Sequence, residues 1–222
     1  MFVKEGDKVA VGTKLAECNE RNVVPIYSSV SGTVKGIQKI MHSSLKPADH
    51  IVIENDGEYR KEQSFDTLDY KTASKDELVD FMMNAGIIGL GGAGFPAYIK
   101  YKFAKNVEKL IINAVECEPY ITADYRCMME IPEQLISGLN IMLSLFPKAK
   151  GVIGIEDNKP EAIAKLTEMC KSESRIEVAA LKTKYPQGAE RSLIYAVTGR
   201  AINSSMLPAD AGCIVDNVAT AI

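Results

Sequence analysis

A glycine-rich stretch, Gly89-Leu90-Gly91-Gly92-Ala93-Gly94-Phe95-Pro96, constrains this sequence more than any other segment. Four glycines within six residues leave no side chains to hold a ligand away from the backbone, so the N–H groups can close around an anion such as a phosphate. Pro96 fixes a helical φ and predicts a helix over Ala97–Phe103, whose positive end faces the same place. Lys100 lies one turn into that helix, where its charge can complete an anion site. A flexible glycine turn is the alternative that the segment leaves open.

The same glycines satisfy the dinucleotide-binding pattern G-x-G-x-x-G, with Gly89, Gly91 and Gly94 in its three positions. That pattern is informative when a strand leads into it. Here the preceding residues predict a helix instead, because Ser74 and Glu77 form a capping box and apolar residues follow at helical spacing. The pattern therefore favours a different kind of nucleotide-binding loop over an ordinary Rossmann fingerprint.

Composition excludes several classes of function. Hydrophobic residues make up 46% and charged residues 25% of the 222 residues, as in ordinary soluble proteins. The net charge of −3 and the lack of a basic stripe argue against nucleic acid as a partner. No apolar run approaches the roughly 20 residues needed to cross a bilayer, and charges near the start interrupt any signal peptide. Five cysteines without a C-x-x-C pair predict reduced cytosolic thiols and no metal site.

Residues 1–66 predict a small all-β domain. Turn residues alternate there with runs of Val and Ile, and residues 3–15 and 29–37 resemble the barrel-sandwich fold of biotinyl and lipoyl carrier domains. In those carriers a lysine at a hairpin tip holds the prosthetic group, whereas the corresponding segment here, residues 17–25, contains no lysine. We therefore expect a structural or docking module of the same shape, with the first strand of the fold missing before Met1.

A polar connector leads to a second domain, expected at residues 73–222, in which strands and helices alternate. Strands are predicted at 107–114, 151–156, 176–181 and 213–216. Helices are predicted from Pro132, from Asn158 and over residues 186–197. This order predicts an α/β fold, a Rossmann-like and mainly parallel sheet with helices on both faces.

Polar residues follow the carboxyl ends of the predicted strands, where ligands of parallel sheets bind. Asn113 and Asn217 can hydrogen-bond the edge of a flat heteroaromatic ring, because an amide both donates and accepts. Their alternative role is to cap a helix or a turn. Thr220 offers a hydroxyl for a phosphate, and Phe95 offers a ring that could stack on a base. Three carboxylates could accept hydrogen bonds from ribose hydroxyls or a carboxamide: Glu116, Glu118 and Glu190. For each of these residues an ordinary surface or core role is the alternative.

No acid–base pair or nucleophile accompanies these candidates in the sequence. Both histidines, His42 and His50, lie in the first predicted domain. A phosphate-binding loop surrounded by amides and carboxylates, without a catalytic side chain, is typical of a protein that positions a cofactor and leaves the chemistry to it.

Four segments taken in order resemble a known family: residues 86–96, 112–119, 185–190 and 207–220. They are similar to the C subunit of the Rnf electron transport complex and to the related PrdC protein, which is linked to clostridial proline reductase. More distantly, they resemble the flavin-bearing, NADH-oxidising subunit of respiratory complex I. The resemblance spans essentially the whole chain, and four motifs in one order are more specific than a lone glycine loop.

The resemblance implies an FMN site that exchanges hydride with NADH and relays single electrons to iron–sulfur clusters. Carried over position by position, it implies that the following residues hold FMN: Gly89, Gly91, Gly92, Gly94, Lys100, Asn113, Glu116, Asn217 and Thr220. It places Phe95, Glu118 and Glu190 on the side of the nicotinamide nucleotide. It also implies other subunits of a membrane-associated or reductase complex as partners, and a cytoplasmic location, either free or peripheral on the inner face of the membrane.

Two residues depart from the complex I pattern. Leu90 stands where complex I has an arginine, and Val115 stands where it has an aspartate, so binding of NADH or FMN could be weaker. The family also continues into a β-grasp domain and cysteine-rich cluster motifs. We therefore expect a fragment that lacks the iron–sulfur clusters and cannot pass electrons onward alone. The competing interpretation is a non-catalytic docking module with a degenerate flavin domain.

Overall fold

The computed structural model describes residues 1–18 and 20–222, and the chain divides into two compact units. The first unit contains residues 1–68 and 81–87, and the second contains residues 69–80 and 88–222. The predicted domain boundaries at residues 66 and 73 remain a prediction. The strands are β1 (Lys8–Val9), β2 (Lys14–Ala16), β3 (Ile26–Tyr27), β4 (Gly32–Met41), β5 (Pro47–Asn55), β6 (Lys109–Ala114), β7 (Lys150–Glu156), β8 (Ile176–Leu181) and β9 (Cys213–Asn217). The helices are α1 (Lys75–Asn84), α2 (Ala97–Phe103), α3 (Ala123–Glu130), α4 (Pro132–Ser144), α5 (Pro160–Met169), α6 (Glu190–Thr198) and α7 (Val218–Ala221).

The first unit is built from two small antiparallel sheets, as the turn-punctuated sequence predicts. β4 pairs with β1 and with β5, and β2 pairs with β3. The buried core of this unit consists of four apolar residues, Val3, Val9, Leu15 and Val34. Residues 17–25, where a carrier domain would bear its lysine, join β2 to β3, and Asn19 lies outside the described residues.

β4 and β5 form a long hairpin that extends past this core. β1 pairs with the first two residues of β4, whereas the pairing of β4 with β5 continues to Met41 and Pro47. Beyond Val34 the hairpin is therefore a two-stranded ribbon. Every residue from 37 to 47 is exposed, so this part of the ribbon contributes nothing to the core of the unit.

The second unit is organised around four parallel strands in the order β8-β7-β6-β9. β6, β7 and β8 follow one another across the sheet, whereas β9 returns to the other side of β6. The strand order therefore reverses between β6 and β9, which is the point where open parallel sheets bind ligands. Asn113 near the end of β6 lies in register with Asn217 at the end of β9.

Helices cover both faces of this sheet. A Cβ added to Gly151 in β7 would lie 2.9 Å from Leu139 of α4. Gly154 lies three residues further on and therefore on the opposite face, where an added Cβ would lie 3.1 Å from Leu193 of α6. The predicted α/β fold is thus confirmed. None of the described helices is both long and apolar enough to span a membrane.

Local signals placed most of the elements correctly. α2 has the predicted bounds, and α1 is preceded by the predicted capping box, in which the Ser74 amide donates to Glu77 at 2.8 Å. α6, however, begins at Glu190, because residues 186–189 form a turn instead of a first helical turn. Within that turn the Gly188 carbonyl accepts a hydrogen bond from the side chain of Asn113, so its backbone is bound to the carboxyl end of β6.

α3 was not expected from the sequence. The carboxylate of Glu116 accepts hydrogen bonds from the amides of Asp124 and Tyr125, at 2.8 and 3.1 Å. Glu116 lies eight and nine residues before the amides that it binds, so this cap leaves no signal in the local sequence, whereas an adjacent capping residue would.

Candidate functional site

A cleft of about 280 Å³ opens at the carboxyl ends of β6 and β9. Most of the predicted site residues line it: Gly89, Gly91, Phe95, Lys100, Asn113, Glu190, Asn217 and Thr220. Gly92 and Gly94 belong to the same glycine loop. Glu116 and Glu118 instead line a larger cleft of about 570 Å³, so the structure does not bring these two carboxylates into the glycine cleft.

The glycine loop, residues 89–94, is tied to the protein at its start. The amide of Gly89 donates to the carbonyl of Phe95 at 2.7 Å. The amide of Leu90 donates to Oγ1 of Thr220 in α7 at 2.9 Å. The N–H groups of these two residues are therefore satisfied within the protein and are not available to an anion.

The remaining four amides of the loop, at residues 91–94, donate no hydrogen bond within the described part of the chain. Gly92 and Gly94 have φ values of +131° and +61°, which side chains rarely adopt. A Cβ added to Gly92 would meet no heavy atom within 4 Å, so the space beside its backbone is open. These four N–H groups are therefore available to a ligand, and an anion-binding nest at this loop stays a prediction.

Lys100 reaches from α2 to β9 and is held there. Its Nζ donates to the carbonyl of Val215 at 2.6 Å and to Oδ1 of Asp216 at 2.9 Å. Asp216 is 3% exposed and accepts a further hydrogen bond from the hydroxyl of Tyr101 at 2.5 Å. Burial, reinforced by the charge of Asp216, raises the pKa of Tyr101 well above its ordinary value, so the hydroxyl stays a donor.

Sequence reasoning missed Asp216 and Tyr101. The available signal was a single acidic residue inside the apolar run of β9, because a carboxylate in a buried strand needs partners. Tyr101 follows Lys100 directly, and its ring is fully buried. Asp216, held by Tyr101, fixes the position of the ammonium group of Lys100, which the sequence predicts to bind an anion.

The two predicted amides brace loops around the cleft. Asn113 Nδ2 donates to the carbonyl of Gly188 at 2.8 Å, and its Oδ1 accepts from the amide two residues later at 3.2 Å. Asn217 caps α7 by accepting from the amide of Ala219 at 2.9 Å, and its Nδ2 donates to Asp124 at 2.6 Å. In both side chains the amide nitrogen donates and the amide oxygen accepts within the protein. The structure therefore shows these residues in capping and bracing roles, and their contact with a flavin ring stays a prediction.

The three predicted carboxylates have different surroundings. The pKa of Glu190 is raised because protein atoms displace water around the carboxyl group; Lys100 lowers it and Asp216 raises it further. Both oxygens of Glu116 cap α3, as described above. Glu118 lies in the larger cleft. The roles predicted for all three toward FMN or a nicotinamide nucleotide stay predictions.

The charged side chains that line the glycine cleft are one lysine and two carboxylates, so their net charge does not favour an anion. Lys100 is paired with Asp216, and Glu190 adds an acidic group. Attraction for an anion must therefore come mainly from the fixed dipoles of the amides at residues 91–94. Such dipoles favour a phosphate without the reorganisation that flexible charged side chains require.

Comparison with known proteins agrees with this geometry. Residues 82–222 match the family model described as the Nuo51 FMN-binding domain, and residues 1–58 match that of the RnfC barrel sandwich hybrid domain. Over 99% of its length the chain is 43% identical to the C subunit of the Na(+)-translocating ferredoxin:NAD(+) oxidoreductase complex of Acetobacterium woodii. It is 40% identical, again over 99% of its length, to the C subunit of the proton-translocating ferredoxin:NAD(+) oxidoreductase complex of Clostridium ljungdahlii. The chain spans 50% and 49% of these two relatives.

A more distant relative and a solved structure extend the likeness. The C subunit of the ion-translocating oxidoreductase complex of Pasteurella multocida is 36% identical over the whole chain, which spans 27% of that protein. A crystal structure of an NAD+-reducing [NiFe]-hydrogenase in the air-oxidised state matches 67% of this chain and 29% of its own, with a TM-score of 0.58 and 26% identity. The chain therefore belongs to the family of the Nuo51 FMN-binding domain, joined here to an RnfC barrel sandwich hybrid domain, as its resemblance to the C subunit of Rnf complexes predicted.

Proposed function

We propose that the second unit binds FMN in the glycine cleft and that the chain is the FMN- and NAD(H)-binding part of an electron-transfer subunit. The observation that carries this proposal is the row of amides at residues 91–94 that donate no hydrogen bond within the described chain and border a cleft at the reversal of strand order. The family match and the names of the relatives, which are subunits of ferredoxin:NAD(+) oxidoreductase complexes, support it.

The residues present fit the phosphate end of FMN. Four amides of the loop donate to no described residue, and the open space beside Gly92 admits close approach of an oxygen. The hydroxyl of Thr220 accepts from Leu90 and keeps its own proton for donation. Lys100 uses two of its three donors on Val215 and Asp216, which leaves one for a phosphate oxygen.

The remaining residues would place a nicotinamide nucleotide against the flavin. Phe95 is 41% exposed at the cleft and offers a ring for stacking, and Glu190 offers an acceptor for ribose hydroxyls or a carboxamide. When bound, FMN supplies acceptance of hydride from NADH and release of electrons one at a time. The contribution of the protein is alignment, since hydride transfer requires close and oriented approach.

The wider assignments rest on the relatives and on the sequence resemblance. Because the chain spans about half of its first two curated relatives, transfer to iron–sulfur clusters held outside this chain is part of the proposal. So are the association with other subunits and the peripheral position on the cytoplasmic face of a membrane. The names of the relatives favour an Rnf-type complex over a proline reductase relay.

Titration of FMN with the purified chain, followed by quenching of flavin fluorescence, tests the proposal. We expect saturable quenching at micromolar protein. Gly92→Leu should abolish it, because the side chain would occupy the space that a phosphate needs. Gly199→Leu is the control for a leucine placed at a positive φ away from the cleft: its φ is +72°, and an added Cβ there also meets no heavy atom within 4 Å. Because the φ of +131° at Gly92 strains a side chain more, circular dichroism of both variants accompanies the titration.

Two outcomes would overturn the assignment. Unchanged affinity in Gly92→Leu would show that the phosphate does not bind at the loop. Absence of quenching by the unaltered chain would favour the docking module, for which the internal engagement of both Asn113 and Asn217 is the supporting observation.

A further inference from the structure

The ribbon formed by β4 and β5 ends in side chains that are apolar on both of its faces. Ile40 and Met41 are consecutive in β4 and therefore point to opposite faces. They are 43% and 64% exposed, and Leu45 in the connecting turn is 84% exposed. If the ribbon packed on the core of the unit, one of its faces would be apolar. The core ends near Val34, so packing on the core explains neither of the two apolar faces at the tip.

Local folding does not explain this composition either. Leu45 adopts a φ of +61°, a left-handed conformation in which glycine or asparagine is usual. The turn is closed by hydrogen bonds from Leu45 N to His42 O at 2.9 Å and from His42 N to Lys46 O at 3.1 Å. A two-stranded ribbon is marginally stable in water, and a large apolar residue at a strained position does not stabilise it. Three exposed apolar side chains within six residues, on a ribbon that they do not stabilise, indicate that this tip contacts something outside the unit.

The charges around the tip indicate what it contacts. Residues 35–50 contain three lysines and a single acidic residue, Asp49, whereas the whole chain carries a net charge of −3. Lys35 pairs with Glu54 at 2.7 Å at the base of the ribbon. Lys39 and Lys46 make no ion pair with any described residue. Apolar side chains beside ammonium groups can contact an anionic bilayer, since the apolar groups enter the headgroup boundary and each cation near the surface adds about 1 kcal/mol, which is about fivefold in affinity.

We propose that the ribbon tip, residues 37–47, docks onto the surface of a membrane that contains anionic phospholipids. Ile40, Met41 and Leu45 enter the boundary between headgroups and acyl chains, while Lys39 and Lys46 contact lipid phosphates. This inference rests on the peripheral membrane position that is part of the proposed function. The ribbon tip belongs to the first unit and the glycine cleft to the second, so a failure of vesicle binding leaves the FMN site standing, and a failure of FMN binding leaves the ribbon tip standing.

Co-sedimentation of the full chain with vesicles tests the proposal. We expect binding to vesicles of phosphatidylcholine and phosphatidylglycerol in equal parts, weak binding to phosphatidylcholine alone, and a decrease with added salt. Leu45→Asp should weaken partitioning about tenfold or more, because it removes the most exposed apolar group of the tip. Lys46→Gln should weaken it about fivefold, the effect of one cation near an anionic surface. Leu207→Asp, at a leucine that is 69% exposed in the second unit, is the matched control and should bind like the unaltered chain.

Three results would overturn the proposal. Equal binding to the two kinds of vesicle would remove the role of the lysines, and full binding by Leu45→Asp would remove the role of the tip. Binding to neither vesicle would exclude a lipid surface and leave another protein as the occupant of the ribbon tip. Circular dichroism of each variant separates loss of binding from loss of folding.

Discussion

Asp216 holds two neighbouring polar side chains at the glycine cleft. It accepts from Lys100 and from Tyr101 while almost fully buried, so each donor offsets part of the cost of removing a carboxylate from water. The consequence is a lysine whose position is set before any ligand arrives. A pre-positioned ammonium loses little conformational entropy when it contacts a phosphate.

Replacing Tyr101 by phenylalanine tests this bracing. The variant leaves one oxygen of Asp216 without its donor, and we expect the free energy of unfolding to fall by about 2 kcal/mol. Urea denaturation measures the change. Tyr98→Phe is the control, because Tyr98 is also buried and donates no hydrogen bond from its hydroxyl within the described residues. Equal stability of the two variants would show that the hydroxyl of Tyr101 contributes nothing to the network.

The proposed FMN site should depend on pH through Glu190. Its pKa is raised by burial, so its carboxyl group takes up a proton at a higher pH than an ordinary glutamate, and protonation removes a negative charge from the cleft proposed to bind the phosphate. We expect FMN affinity to rise as pH falls from neutral toward the raised pKa. Glu190→Gln should bind FMN at neutral pH at least as tightly as the unaltered chain and should lose this part of the pH dependence. Fluorescence titrations across that range compare the two proteins, and parallel pH profiles would contradict the role of Glu190.

At the scale of secondary structure, the glycine loop depends on the packing of α7 against α4. α7 carries Thr220, which fixes the amide of Leu90, and its terminal turn lies directly over Gly138 in α4. A Cβ added to Gly138 would lie 1.6 Å from the carbonyl oxygen of Ala221, so only glycine permits this approach. The position of the start of the glycine loop therefore depends on how closely α7 packs against α4.

Gly138→Ala should separate α4 from α7. We expect a loss of about 3 kcal/mol in unfolding free energy from overpacking, together with weaker FMN binding because Thr220 moves away from Leu90. Thermal denaturation and the FMN titration measure the two effects. Ser137→Ala, at an exposed position in the same helix, should change stability by less than about 0.5 kcal/mol. A fully stable Gly138→Ala protein would show that the helices can shift apart without cost.

Elements with local signals were predictable, and elements held by distant groups were not. α2 follows from Pro96, and α1 follows from the Ser74–Glu77 capping box, since both signals lie in the adjacent sequence. α3 depends on Glu116, and the delayed start of α6 depends on Asn113. In the site, the open backbone of the glycine loop could be predicted from its lack of side chains. The hydrogen bond from Asn113 to Gly188 could not be predicted, because an asparagine looks the same in the sequence whether its side chain binds a ligand or a loop.

At the scale of the whole molecule, the five cysteines occupy different environments. Cys170 and Cys213 are buried in the second unit, and burial raises the pKa of both thiols. Cys18 is exposed in the first unit. Among the described residues no three His, Cys, Asp or Glu side chains lie close enough together to hold a metal ion.

Alkylation should therefore follow burial. With iodoacetamide at neutral pH we expect Cys18 to react first and Cys170 and Cys213 to react only after unfolding, because a buried thiol with a raised pKa supplies little thiolate. Mass spectrometry of peptides taken at successive times measures the order. Early modification of Cys213 would show that the second unit opens in its native state.

The amides at residues 91–94 give the molecule a built-in reporter of occupancy. We expect these N–H groups, which donate to no described residue, to exchange quickly with heavy water, and the hydrogen-bonded amides of Gly89 and Leu90 to exchange more slowly. A bound phosphate would slow deuterium uptake across those few peptide groups and nowhere else in the loop. Deuterium uptake by one short peptide would thus show whether a phosphate is bound at the loop, without measuring flavin absorbance or activity.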